Sequence, residues 1–108
     1  MNKNNKVIDF HVHLADYLEF RPSALKWFMG NYQSEEEYDS FKEKYKDPKK
    51  FCQMLNDNNV EYAVVLAEVA PLTTGIANNS MVEEFCRDNE QLIPFCTFNP
   101  FIDASMSD

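Results

Sequence analysis

Glycine is almost absent from this chain: of its 108 residues only Gly30 and Gly75 are glycine. A backbone cradle for phosphate needs several glycines close together, so a P-loop and a dinucleotide-binding turn are both excluded. No Gly-x-Ser-x-Gly stretch exists to form a nucleophile elbow. Cysteine is scarce as well. Cys52, Cys86 and Cys96 are odd in number and contain no Cys-x-x-Cys pair. That favours reduced, mostly buried thiols over a disulfide framework or a thiolate zinc site. Bases are outnumbered, ten Lys and Arg against eighteen Asp and Glu, for a net charge of -8. With no basic run interleaved with aromatics, neither nucleic acid nor an anionic membrane is expected as partner. No apolar run approaches the ~20 residues of a membrane span, and no signal-peptide core follows the polar residues 1-6. The cytoplasm is the expected compartment.

Hydrophobic residues, by contrast, make up 44% of the chain and aromatics 14%, enough for one domain with a buried core. The stretch that organises it is Val7-Ile8-Asp9-Phe10-His11-Val12-His13-Leu14, which holds both histidines. In a strand, side chains alternate between faces. Simple alternation places Asp9, His11 and His13 on one face and Ile8, Phe10, Val12 and Leu14 on the other, which should pack under helices. Two imidazoles on successive same-face positions can converge on one divalent cation. They can also be two solvated residues on an edge strand, or a satisfied core histidine with an exposed neighbour. Asp9 has two roles open to it: orienting an imidazole from behind, or bonding backbone amides.

Residues 15-47 form a long excursion. Residues 15-22 read as a loop carrying Phe20 and Arg21, and Ser23 precedes a short helix over 24-29 that stops at Gly30-Asn31. Ser34 and Glu37 form a capping box. The helix they open carries Tyr38, Phe41 and Tyr45 on one face. This stripe packs the excursion onto the body; alternatively Phe20, Trp27 and Phe28 wall a substrate pocket above the histidines. Asp47-Pro48 starts the next helix, with Phe51, Met54 and Leu55 inward, and Asn58-Asn59 end it. The apolar run from Val60 to Ala67 predicts a strand buried on both faces of a parallel sheet. The loop 68-77 is longer than a usual connection. Ser80 and Glu83 predict a second capping box, Met81, Val82, Phe85 and Cys86 an inward face, and 92-98 a third strand with Pro94 near its start.

Strands separated by helices imply right-handed βαβ units, whose chemistry gathers at the C-terminal ends of the strands. His13, the loop from Glu68, and Asn99 all fall at such ends. Arg21, Glu68 and Asn99 are therefore candidate substrate-loop residues.

In this order the motifs resemble the amidohydrolase superfamily, in the amidohydrolase-related branch that includes aminocarboxymuconate-semialdehyde decarboxylase-like enzymes. Ile8-Asp9-Phe10-His11-Val12-His13-Leu14 is similar to the family's first strand with its His-x-His metal motif. Val60-Glu61-Tyr62-Ala63-Val64-Val65-Leu66 is similar to its second strand. The stretch from Asn78 through Leu92-Ile93-Pro94-Phe95 to Phe98-Asn99-Pro100 is similar to its next helix and strand. The excursion at 15-47 lies outside the resemblance, as a helical insertion. The resemblance implies an α/β fold, the first three βα units of a TIM (β/α)8 barrel. Residues 1-108 would be the truncated N-terminal part of a single barrel domain, since a whole barrel needs about 250 residues. It implies His11 and His13 as ligands of a divalent metal, often zinc, Asp9 behind them, and a small-molecule substrate. The activity implied is hydrolysis of an amide, ester or lactone-like bond by metal-activated water, or non-oxidative decarboxylation on the same scaffold. No residue here matches the family's later ligands or its catalytic base, so the chain alone is expected to be inactive. A homo-oligomer of the complete protein is compatible with the resemblance. The reading from another class is a non-catalytic α/β fragment or a flavodoxin-like binding module, in which the histidines are incidental.

Overall fold

The apolar run at 60-66 forms the centre of the main sheet in the computed structural model, which describes residues 6-100. In chain order the elements are β1 (Val7–Val12), β2 (Glu19–Phe20), α1 (Pro22–Met29), α2 (Glu35–Tyr45), α3 (Pro48–Asp57), β3 (Val60–Leu66), β4 (Glu68–Ala70), β5 (Gly75–Ala77), α4 (Asn79–Cys86) and β6 (Leu92–Phe95). The main sheet is parallel, in the order β1-β3-β6. A second sheet, antiparallel, has the order β2-β5-β4. The molecule is thus an α/β domain with two small sheets. The segment 101-108, which the sequence left without a reading, lies outside the described residues. No helix among those described is long and apolar enough to cross a membrane.

Local chemistry explains the helix ends. The Ser34 hydroxyl accepts from the backbone N–H of Glu37 at 3.1 Å. Three glutamates open α2 and two lysines sit in its last turn, complementing the helix dipole. Asp47 accepts from the N–H of Lys49 at 2.9 Å, with Pro48 in the first turn where a missing donor is harmless. Asn59 takes the left-handed conformation, φ 60°, that the exit from α3 requires. At α4 the expectation needs correcting: the cap is Asn78, whose side chain accepts from Met81 at 2.9 Å, and Ser80 lies inside the helix. Both residue types cap well, so composition alone does not choose between them. At α1 the helix likewise starts earlier, at Pro22 with Arg21 as N-cap.

The core joins α3 and α4 to one face of β3: Leu55, Val82 and Cys86 pack against Ala63, Val65 and Ala67. Burial beside Cys52 pushes the Cys86 thiol up to about 11, so it behaves as a small apolar side chain. β6 is shorter than expected, ending at Phe95. The carbonyls of Gln91, just before it, and of Phe95 accept from the N–H groups of Ala63 and Ala67, so Pro94, at the intervening parity, turns its donorless nitrogen to the outer edge.

β1 departs from simple alternation. Asp9 stands opposite Ala63 and Val12 opposite Val65, so β1 holds one extra residue between them. The slip reverses which parity faces the helices. Val12 and Leu14 pack on the core, whereas Ile8 is 46% exposed and Phe10 68%. The single apolar face read from the sequence is therefore split in two. The supposed loop 68-77 is in fact the hairpin β4–β5, and β2 of the excursion pairs with it.

Candidate functional site

The extra residue in β1 falls just before the histidines. Both rings are exposed at the C-terminal end of the strand, with Nε2 of His11 3.0 Å from Nε2 of His13 and the rings edge to face. Two nitrogens this close can share one proton, one ring donating and the other accepting, or can face one cation. Asp9 does not follow them. Its carboxylate accepts from the backbone N–H of His11 at 3.0 Å, the amide-bonding role of the two open to it. Among the described residues no group of three or more His, Cys, Asp or Glu is arranged to hold a metal ion. The site supplies two donors.

The remaining candidates collect around the small sheet. Glu68 opens β4 and accepts from the Tyr17 hydroxyl at 3.1 Å. The Asn99 amide donates to the carbonyl of Val69 at 2.7 Å, on the same strand. The backbone N–H of Arg21 donates to the carbonyl of Thr74 at 2.7 Å, in the hairpin turn. Arg21 makes no ion pair among the described residues; the two pairs present are Lys46–Glu43 and Arg87–Glu83, both on helix surfaces. Asn79 also belongs here and was missed as anything but a helix-start residue. It exchanges two hydrogen bonds with the backbone of Thr97, pinning the segment after β6 beside α4.

His13 forms part of the wall of a cavity of about 210 Å³ between β1 and the excursion. Tyr17, Phe20, Phe28, Tyr38 and Tyr45 are among its other lining residues. The rings interlock: Tyr17 stacks on Phe20 with centroids 4.5 Å apart, and Phe20 meets Phe28 at 5.5 Å. The stripe on α2 packs the excursion down, and its rings line the cavity together with Phe20 and Phe28. Trp27 does not line it; that ring is 67% exposed and touches only the edge of Phe28 within the aromatic group. Tyr17, passed over as a loop residue, is the link between cavity and rim. The signal for it was that it is one of two aromatics, with Phe20, in the connection 15-22.

Burial, reinforced by the Glu68 carboxylate, holds the Tyr17 phenol well above its ordinary value near 10. Burial raises Tyr32 and Tyr38 too, helped by Glu37 for the first and by Tyr32, Asp16 and Asp39 for the second. A raised phenol means that the folded chain keeps protons the unfolded chain would release. Their contribution is complete below the unfolded value and is lost as pH rises through the folded values. Denaturant midpoints are therefore expected to fall steadily above about pH 10, and Tyr17→Phe should flatten that fall. An unchanged alkaline slope in Tyr17→Phe would remove Tyr17 from this account.

In comparison with known proteins, no family model matches the chain, and no curated protein or solved structure does either.

Proposed function

We propose that this chain is the opening part of a metal-dependent hydrolase of the amidohydrolase type, with His11 and His13 as two of its metal ligands. The observation that carries the reading is the 3.0 Å between their Nε2 atoms at the end of β1. Two zinc–nitrogen bonds of about 2.0–2.1 Å close over that gap at an angle slightly above ~90°. A widening of a few tenths of an ångström reaches the tetrahedral value. The donor set thus fits two positions of such a site, and the third protein ligand that a catalytic zinc normally takes would come from outside the described residues. A divalent ion there would supply Lewis acidity and an acidified water for attack on an amide, ester or lactone-like bond.

The finer fold reading is that β1, β3 and β6 are the first three strands of a (β/α)8 barrel. Their order in the sheet follows their order in the chain, and α3 and α4 pack on one face. A flavodoxin-like module would set its first strand between the second and third, whereas β1 lies at the edge. The chain's own groups divide the work. The two imidazoles would hold the ion, the aromatic cavity beside His13 would limit water around it, and Glu68 accepts from Tyr17 in the cavity wall.

Calorimetric titration of the chain with zinc at neutral pH tests the ligand assignment. Weak, saturable binding is expected, falling at least about tenfold in each single alanine variant and vanishing in the His11→Ala, His13→Ala pair, since removing even an outer partner of a metal ligand costs 10–100-fold. Binding that survives the double substitution would overturn it, as would no binding at all.

A further inference from the structure

The cavity beside His13 has a composition unlike a general packing fault. It is a partly open pocket of about 210 Å³, and Phe41 of its lining is 38% exposed. Apart from His13, its lining among the described residues is aromatic or aliphatic, with no Asp, Glu, Lys or Arg. The Tyr17 hydroxyl is engaged outside the lining, donating to Glu68 at 3.1 Å. A dry apolar cavity of roughly 150 Å³ is already large enough to take a benzene-sized guest. Aromatic walls set at inclined angles, as at Phe20–Phe28 and Phe41–Tyr45, offer a planar guest both ring faces and ring edges.

We infer that this cavity is a binding site for one uncharged planar ring, with any polar end of the ligand at the His13 side. As the seat of a substrate's apolar end, the inference rests on the hydrolase reading above; as a binding site it stands without it. The size limits the guest to a single ring. The lining rejects a carboxylate on the buried end, because a charge there would lose its hydration with no cation to receive it.

The probe is toluene, titrated into the metal-free chain and followed by NMR. Trp27, the single tryptophan, meets Phe28 edge-on with centroids 5.2 Å apart, so its indole N–H reports on the wall. A saturable shift is expected, with intermolecular Overhauser contacts from the toluene methyl to the rings of Phe20 and Tyr45. Benzoate should bind at least about 100-fold more weakly, and naphthalene should not bind. Phe28→Ala should weaken toluene about tenfold and admit naphthalene. Absence of a saturable shift would overturn the inference, as would Overhauser contacts to residues elsewhere, or benzoate binding as well as toluene. If Phe28→Ala does not fold, the contacts in the unaltered chain decide. Toluene binding without zinc binding would sink the hydrolase reading and keep the cavity; zinc without toluene would do the reverse.

Discussion

Gly75→Ala is expected to destabilise the chain by about 2–6 kcal/mol, adding the ~1–3 of an overpacked site to the ~1–3 of a strained backbone. Gly75 has φ +156°, where L side chains are rarely found, and a Cβ there would come within 2.0 Å of the Glu19 carbonyl oxygen and 3.0 Å of the Phe20 Cα. Both obstacles are backbone, so no side chain can rotate away. Gly75 lies opposite Phe20 in the β2–β5 pair and opposite Ala70 in the β4–β5 pair. One methyl group therefore wedges apart the junction that ties the excursion to the body. Equilibrium unfolding measures the loss, against total stabilities of about 5–15 kcal/mol for ordinary domains. Amide exchange at Leu18 and Arg21, which bond to Ile76 and Thr74, should accelerate most. Gly30 is the control: its φ is -66° and its nearest obstacles stand at 3.4 Å, so Gly30→Ala should cost nothing or stabilise slightly. A Gly75→Ala variant within about 0.5 kcal/mol of the parent would mean that the junction does not form in solution.

The other large effect concerns turnover. The 108 residues alone are expected to hydrolyse no ester or amide and to release no carbon dioxide from aromatic carboxylates, with or without zinc or manganese. On the proposed reading, two imidazoles alone would hold a cation loosely. A base must also stand within hydrogen-bond reach of the attacking water, and the candidate rim carboxylate, Glu68, is already engaged by Tyr17. A barrel completed by further strands should be active, silenced by a chelator, and reduced at least about 100-fold in kcat/KM by His13→Ala, because groups one shell further out already cost 10–100-fold. Metal-dependent turnover by the 108 residues would show that the base is among them. A complete barrel indifferent to chelation and to His13→Ala would sink the metal assignment.

The sequence made the helix starts at Ser34 and Asp47-Pro48 and the exit at Asn59 legible because each is decided within a few residues, by one side chain and one backbone group. The three parallel strands were legible from their apolar runs. The small sheet was not: strands of two or three residues carry too little alternation to read, and Glu19 meets Ile76 only through the tertiary fold. The slip in β1 was hidden for the same reason, since an extra residue leaves no mark on composition. It moved Phe10 into solvent and turned Asp9 to a backbone amide. The aromatic stripe on α2 was visible, but that its rings close over His13 depends on where the excursion is fastened.

The two outer strands of the main sheet also govern how copies of the chain meet one another. Along β6, Pro94 withholds a donor from the open edge. Along β1, the additional residue between Asp9 and Val12 throws the ladder out of step. A strand from another copy of the 108 residues, approaching either edge without the covalent and packing constraints of a barrel neighbour, finds its repeat broken after a few residues, which is how natural sheets discourage edge-to-edge growth. Concentrated solutions should accordingly resist fibrillar stacking even though Phe10 and Phe95 are exposed, and self-association, where it occurs, should proceed through faces rather than edges.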